Sequence, residues 1–273
     1  MPELPEVETV RRTLKNYILE RPILGIDVYY DRIIQGDTQL FVKSLQHEII
    51  CDIDRVGKYL IFKCQNHAFV SHLRMEGKFH IVESDEPVSK HTHVVFHMDR
   101  HQDLRYIDTR KFGRMELVSL DDYREQLPLK KLGPEPFEIT TEALYERLHH
   151  CSLPIKTALL DQSMMCGIGN IYANEICFYM HIDPRTKASR LSRKRVDELR
   201  KVAIMVLQSA IEQGGTTIHS FDANGIHGLF QVQLKVHGQK VCPVCHHDIK
   251  KVMVHQRGTY FCPQCQKKRY YGV

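Results

Sequence analysis

Apolar residues recur at helical spacing just after the start of the chain, at Val7, Val10, Leu14 and Ile18, and predict an amphipathic helix over Glu6 to Glu20. Pro5 falls where a first-turn proline is tolerated, and Glu6 and Glu8 lie near the positive end of its dipole. From Ile23 to about Val118 the pattern changes to short β-branched and aromatic runs: Ile26-Asp27-Val28-Tyr29-Tyr30, Tyr59-Leu60-Ile61-Phe62, Phe69-Val70, His93-Val94-Val95-Phe96 and Met115-Glu116-Leu117-Val118. Evenly spaced runs separated by polar turns predict a sandwich or barrel. Leu132-Gly133-Pro134-Glu135-Pro136 is a turn-rich break that no helix crosses. Beyond it the spacing predicts helices over Glu142–His149, Pro154–Leu160, Asn170–Phe178 and Ser192–Glu212, and from about Phe230 short strands with paired cysteines. The fold class expected is α+β multidomain: an N-terminal β-sandwich carrying a helix (1–133), a helical domain (134–234) and a C-terminal ribbon (235–273).

A length of 273 residues supports this division, being more than one ordinary domain needs. No apolar run is long enough to cross a bilayer. The acidic, proline-bearing start Met1-Pro2-Glu3-Leu4-Pro5-Glu6 is unlike a secretory signal, so the expected location is the cytoplasm, with no membrane partner. The formal charge of +5 is only mildly basic and by itself names no partner. Its distribution is more telling: from Val236 onward seven lysines and arginines face the single acid Asp248, which suits a polyanion.

Cys242-Pro-Val-Cys245 and Cys262-Pro-Gln-Cys265 are two CxxC knuckles with sixteen residues between them, the spacing of one four-thiolate zinc site in a hairpin. A redox motif would need only one pair. Four thiolates leave the metal no open position, so one structural Zn2+ is expected, folding a tail too small for its own core. Cys51, Cys64, Cys151, Cys166 and Cys177 show no repeated spacing and are expected to be small buried side chains. Arg257, beside Gly258 on the connecting hairpin, suits a phosphate contact, and an ordinary solvated arginine fits the same position.

Met1 before a small residue is normally trimmed, leaving Pro2 with a terminal secondary amine. An α-amine titrates at about 7.7 to 8.0, so part of it is unprotonated at neutral pH and able to attack a sugar carbon. Glu3 beside it can carry protons. A helix entry explains the same residues without chemistry.

Pro2-Glu3-Leu4-Pro5-Glu6-Val7-Glu8-Thr9 resembles the N terminus of the formamidopyrimidine-DNA glycosylase family, and the likeness extends over essentially the whole chain. Leu4, where the related endonuclease VIII enzymes have glycine, favours the purine-repair branch. The resemblance implies catalytic roles for Pro2, Glu3, Lys58 (in Gly57-Lys58-Tyr59-Leu60) and Arg257. In His72-Leu73-Arg74-Met75-Glu76-Gly77 it implies a phosphate contact for His72 and a wedge for Met75, with Arg74 and Glu76 standing where glycine and serine are common. It gives DNA contact to His91, pairing with the orphaned base to Arg110 and prying of the stack to Phe112, within Asp108-Thr109-Arg110-Lys111-Phe112-Gly113.

Gly167-Ile168-Gly169-Asn170-Ile171-Tyr172-Ala173-Asn174-Glu175 resembles the helix-two-turn-helix signature. Its glycines permit a tight turn, and a helix N-terminus at Asn170 suits phosphate. Lys156 resembles a second phosphate contact. Gly214-Gly215-Thr216-Thr217 resembles the start of the loop that covers the flipped base, although helix termination accounts for the glycines equally well. His237 and Gln239 depart from the common tyrosine and arginine, which weakens a peripheral phosphate contact. What the resemblance implies in total is a monomeric bacterial repair enzyme acting on duplex DNA that contains oxidised bases or abasic sites, with its catalytic cleft between the domains. The alternatives are an endonuclease VIII-like enzyme for oxidised pyrimidines and a noncatalytic damaged-DNA-binding protein.

Overall fold

Glu3 opens the first helix, α1 (Leu4–Ile18), as its N-cap, and a reciprocal capping box closes the turn: the Glu3 carboxylate accepts the Glu6 N–H while the Glu3 N–H donates to Glu6 Oε2 at 2.8 Å. Val7, Val10, Leu14 and Ile18 are fully or almost fully buried, as their spacing requires. The computed structural model describes residues 1–215 and 234–267. They fall into two compact units, the first Met1–Lys130 and the second beginning at Lys131.

In the first unit α1 is followed by β1 (Arg21–Val28), β2 (Ile34–Gln35), α2 (Thr38–Leu45), β3 (Ile49–Val56), β4 (Tyr59–Cys64), β5 (Ala68–His72), β6 (Lys78–Glu83), β7 (Thr92–Met98), β8 (Gln102–Ile107) and β9 (Arg114–Val118). The nine strands hydrogen-bond in the order β2-β9-β5-β4-β3-β1-β7-β8-β6. Strand β1 turns this ladder into two layers. Arg21 and Pro22 pair with β3; from Ile23 the strand pairs with β7, with a register shift between Ile23 and Gly25. Aromatic rings fill the space between the layers. Phe62 and Phe69 stack at 4.5 Å in the first layer, Phe96 of the second stacks on Phe69 at 5.4 Å, and Phe79 closes on Phe62 at 5.3 Å. The sandwich and the α+β class expected from the sequence are the observed ones.

Four strands of the first unit and a helix were not evident from the pattern; one of them, β2, is only two residues long. The alternation of β3 is broken by a register shift between Ile50 and Asp52. Strand β8 hides its period because it buries a charged pair, Asp103 and Arg105, whose side chains meet at 2.9 Å. In β6, Ile81 and Val82 are only partly buried, which leaves a weak stripe. Helix α2 is short, and its start is set by the Asp37 carboxylate, which accepts the N–H groups of Gln39 and Leu40.

The second unit holds α3 (Thr141–His149), α4 (Ile155–Leu160), α5 (Asn170–Tyr179), α6 (Arg193–Glu212) and the hairpin β10 (Lys250–Val254) and β11 (Arg257–Phe261). All four helices lie within about two residues of their expected bounds. Gly214 and Gly215, both at positive φ, end α6, and Gly215 N–H returns to Ala210 O at 2.7 Å. The hairpin turns on two residues of positive φ, His255 and Gln256, the backbone a two-residue loop needs to match strand twist. One expectation fails: Cys51 is exposed and Cys151 half-buried, while Cys64, Cys166 and Cys177 are buried. Cys51 lies at the β3 register shift, which carries it out of the core alternation.

Candidate nucleic-acid interface and metal centre

In the first unit the geometry is built around α1 and two loops. Pro2 is half-buried, Glu3 is 2% exposed, and both directly precede α1. A second carboxylate on the helix, Glu8, accepts hydrogen bonds from Arg11, Arg12 and Arg55 at 2.7 to 3.0 Å. Burial alone would raise its pKa, but the bonds from Arg11 and Arg12, the Arg11 charge and the Arg55 bond outweigh it and hold the group at about 2. Arg55 also donates to Gly57 O at 3.1 Å, so the turn that carries the buried Lys58 is tied to the helix that Pro2 precedes.

His72 is 7% exposed at the end of β5, with its ring edge-on to Tyr59 at 4.5 Å. Burial, then the charges of Arg74 and Lys58, push its pKa down to about 3. Its Nδ1 accepts the Arg74 N–H at 2.9 Å, so this uncharged ring keeps Nε2–H as its donor. Met75 is 40% exposed on the loop that follows.

The facing loop is organised by Asp108, a residue whose role was not evident from the sequence. Fully buried, its carboxylate accepts the N–H groups of Arg110, Phe112 and Gly113 at 2.8 to 2.9 Å, and its carbonyl meets His93 Nε2 at 2.7 Å. Arg110 and Phe112 therefore project from a fixed backbone, with the guanidinium 4.7 Å from the Phe112 ring centre. Phe112 is 46% exposed, unusual for a phenylalanine held so firmly. His91 is half-buried at the start of β7, and its carbonyl accepts the Asp108 N–H at 3.0 Å. Asx-type side-chain capping of a loop that begins with aspartate is the signal that would have singled out Asp108.

In the second unit Gln162 braces the turns between α4 and α5. Its Nε2 donates to Leu160 O and Ile168 O at 2.9 Å, and its Oε1 accepts the Gly167 N–H at 3.0 Å. Gly167 has φ +97°, and Gly169 caps α5, whose first residue is Asn170. Asn170 Nδ2 donates to Gly258 O at 3.1 Å. Lys156, expected at phosphate, is instead fully buried, its ammonium donating to Gly258 O at 2.9 Å and Thr259 Oγ1 at 2.7 Å. It fastens the hairpin, and Arg257 is exposed at the hairpin's end beside the exposed His255 and Gln256. Glu175, 1% exposed, accepts the N–H groups of Lys235, Val236 and His237, and burial raises its pKa against those three bonds. His237 accepts from Asn174 Nδ2 at 2.7 Å, an internal use for the residue that replaces the common tyrosine. Of the expected lesion loop, Gly214 and Gly215 are at the end of α6, and Thr216 and Thr217 lie outside the described residues.

The sulfurs of Cys242, Cys245, Cys262 and Cys265 all lie within 4.8 Å of one another. Tetrahedral Zn–S bonds of about 2.3 Å place sulfurs roughly 3.8 Å apart, so the donor set fits zinc. Phe178 of α5 packs beside this cluster, together with Val236 and Tyr260. Bound there, the metal would supply cross-linking of the two knuckles.

Two rigid loops with exposed side chains, a glycine-led helix N-terminus and a four-thiolate hairpin with an arginine at its end define a zinc-containing nucleic-acid-binding protein. Family profiles agree along the chain: the formamidopyrimidine-DNA glycosylase N-terminal domain matches residues 1–115, the H2TH domain of the same enzyme 132–222, and a zinc finger found in FPG and IleRS 239–268. The formamidopyrimidine-DNA glycosylase of Latilactobacillus sakei is 44% identical over 98% of this chain and 99% of its own, and that of an Exiguobacterium species is 46% identical over 98% and 100%. Lactococcus lactis Fpg in complex with DNA containing an abasic site superimposes with TM-score 0.91 at 38% identity, covering 97% of this chain and 100% of that one. The same wild-type enzyme with N7-benzyl-Fapy-dG DNA gives 0.92 at 38%, covering 98% and 100%. The chain belongs to the formamidopyrimidine-DNA glycosylase family, and with it to base-excision repair. No helix among the described residues is long and apolar enough to cross a membrane.

Proposed function

We propose that this chain is a bifunctional glycosylase and abasic-site lyase that excises oxidised purines, 8-oxoguanine and formamidopyrimidines, from duplex DNA. The observation that carries the reading is the Pro2-Glu3 start of α1, with Glu3 buried in a capping box and the helix bonded through Glu8 and Arg55 to the Lys58 turn. Met1 precedes Pro2 and must be removed to free the amine. Met75, Arg110 and Phe112 fill the space of the extruded nucleotide, offsetting an unstacking cost on the order of a few kcal/mol. His72, His91, Asn170 and Arg257 hold the phosphates, and Gly214 to Thr217 begin the cover over the lesion.

The Pro2 nitrogen attacks C1′ as the C1′–base bond breaks, and the base leaves with a proton. Glu3 supplies a proton to the sugar ring oxygen, which opens the ring to a C1′ iminium. Loss of a C2′ proton expels the 3′ phosphate, and a second elimination expels the 5′ phosphate. Lys58 and Arg257 serve these eliminations, and water then releases Pro2. In the division into 1–133, 134–234 and 235–273, the first part supplies most of the chemistry, the second grips the duplex, and the third both grips it and lends Arg257 to the eliminations.

Borohydride reduces an iminium to a stable amine. Mature protein, checked by intact mass for loss of Met1, is therefore expected to form a trapped complex with 8-oxoguanine duplex through Pro2, and to act far more slowly on thymine glycol. Absence of any trapped species from Met1-free protein would falsify the lyase reading.

A further inference from the structure

Glu76 stands where the family commonly has serine, and its surroundings give it a task. The loop of residues 73–77 leads from β5 to β6, and the loop of residues 108–113 leads from β8 to β9. His72 pairs with Arg114 and Lys78 with Ile107, so the two loops cross side by side in opposite directions. Their glycines close on one group: a Cβ on Gly77 would lie 2.2 Å from the Tyr106 hydroxyl, and one on Gly113 1.6 Å. At the exposed end of this pair the Thr109 hydroxyl donates to Glu76 Oε2. The second loop is held by Asp108 and the first is closed by Gly77 N–H to Leu73 O at 2.9 Å, so each is stiff by itself. Glu76, next to Met75 in the chain, is a side chain that spans them.

We infer that Glu76 is a positioning residue which, through Thr109, couples the Met75 loop to the Arg110–Phe112 loop so that all three side chains enter the duplex as one body. The inference rests on the wedge reading above. Two loops inserting separately each lose freedom on entering the stack, whereas a joined pair has lost it beforehand. The gain is confined to substrates whose lesion must be pulled from a paired stack.

The test is single-turnover excision of 8-oxoguanine from two duplexes, one with cytosine opposite the lesion and one with an abasic analogue opposite it. The proteins are full-length wild type, Glu76→Ala, Thr109→Val, the double variant and Glu76→Gln. On the paired duplex each single variant is expected to be about fivefold slower, the size of one hydrogen bond. The double variant is expected to be no slower than either single one, because both remove the same contact. Glu76→Gln keeps an acceptor and stays close to wild type, which separates the tether from the charge. On the unpaired duplex all five match, and melting temperatures are unchanged. Additive losses, equal losses on both duplexes, or no loss would each overturn the coupling. A wild-type protein inert on both duplexes would instead overturn the glycosylase reading on which it rests.

Discussion

Replacing Glu8 by glutamine keeps the shape of the side chain and removes its charge from beneath three guanidinium groups. The carboxylate is held at about 2 against an ordinary 4.5. At roughly 1.4 kcal/mol for each tenfold change in proton affinity this is an upper bound of about 3.5 kcal/mol. Arg11 and Arg12 are 23% and 60% exposed, so solvent screens part of the attraction, and about 1 to 2 kcal/mol is the expected loss at pH 7. A folded-state pKa below the unfolded one stabilises above about 4.5, and that contribution fades as pH falls through 2. Thermal melts of wild type and Glu8→Gln from pH 7 to pH 2.5 should therefore show a gap of roughly 2 to 4 °C per kcal/mol at neutral pH, narrowing below about pH 4.5. A gap that stays constant to the lowest pH, or none at pH 7, would refute the reasoning. Because Arg55 also holds Gly57, the variant is further expected to slow borohydride trapping through Pro2 at temperatures where it remains folded.

Chelation of zinc after thiol modification is expected to release one metal per chain, read with a chromogenic chelator, and to abolish DNA binding while the melting of the first unit persists. Lys156→Met leaves Gly258 O and Thr259 Oγ1 without their ammonium partner. The cost is about 2 to 3 kcal/mol, measurable as faster zinc loss to a competing chelator. His97 is partly desolvated, which lowers its pKa, but its two nitrogens meet Asp27 at 3.0 Å and Asp103 at 2.9 Å, and those carboxylates raise it overall. Its stabilisation is fully present below the ordinary 6.5 and lost as pH rises through the raised value, so His97→Ala should lower the melting temperature more at pH 6 than at pH 9. Gly113→Ala would drive a methyl into the Tyr106 hydroxyl and is expected to unfold or disorder the loop, seen as lost excision and raised amide exchange around Asp108.

What the sequence made legible was whatever is contiguous. The apolar period of α1, the two CxxC knuckles and the glycine-led turn before Asn170 each lie within a short stretch, and each forms where its residues predicted. Helix α6, with its broad apolar face, did as well. Contacts joining distant positions were not legible. Nothing in the spelling of Lys156 announces that its ammonium will sit on Gly258, about a hundred residues onward, and a lysine is almost never fully buried without such a partner. Tyr106 reads as an ordinary strand aromatic until two glycines from different loops close on its hydroxyl. Strand β8 was hidden by the opposite cause: Asp103 and Arg105 satisfy one another inside the fold, where a period-two pattern leads one to expect apolar side chains.

Exposed apolar side chains are common on protein surfaces, so the exposure of Met75 and Phe112 is not by itself a sign of function. Support is the distinguishing feature. An idle surface phenylalanine has no need of a fully buried carboxylate that accepts its own N–H and those of Arg110 and Gly113. Burying Asp108 costs several kcal/mol in desolvation, which its bonds to the backbone, together with the Tyr106 hydroxyl at 3.5 Å, offset. Such an arrangement adds little to the stability of the sandwich, since the loop could be satisfied by water. It makes sense as preorganisation: the backbone entropy of the loop is lost on folding, leaving the insertion proposed for Phe112 to be opposed mainly by unstacking. By the same reasoning the neutral His72 is suited to a phosphate. A buried imidazolium would be costly in the apo protein, whereas a fixed Nε2–H can donate on contact without a change of protonation.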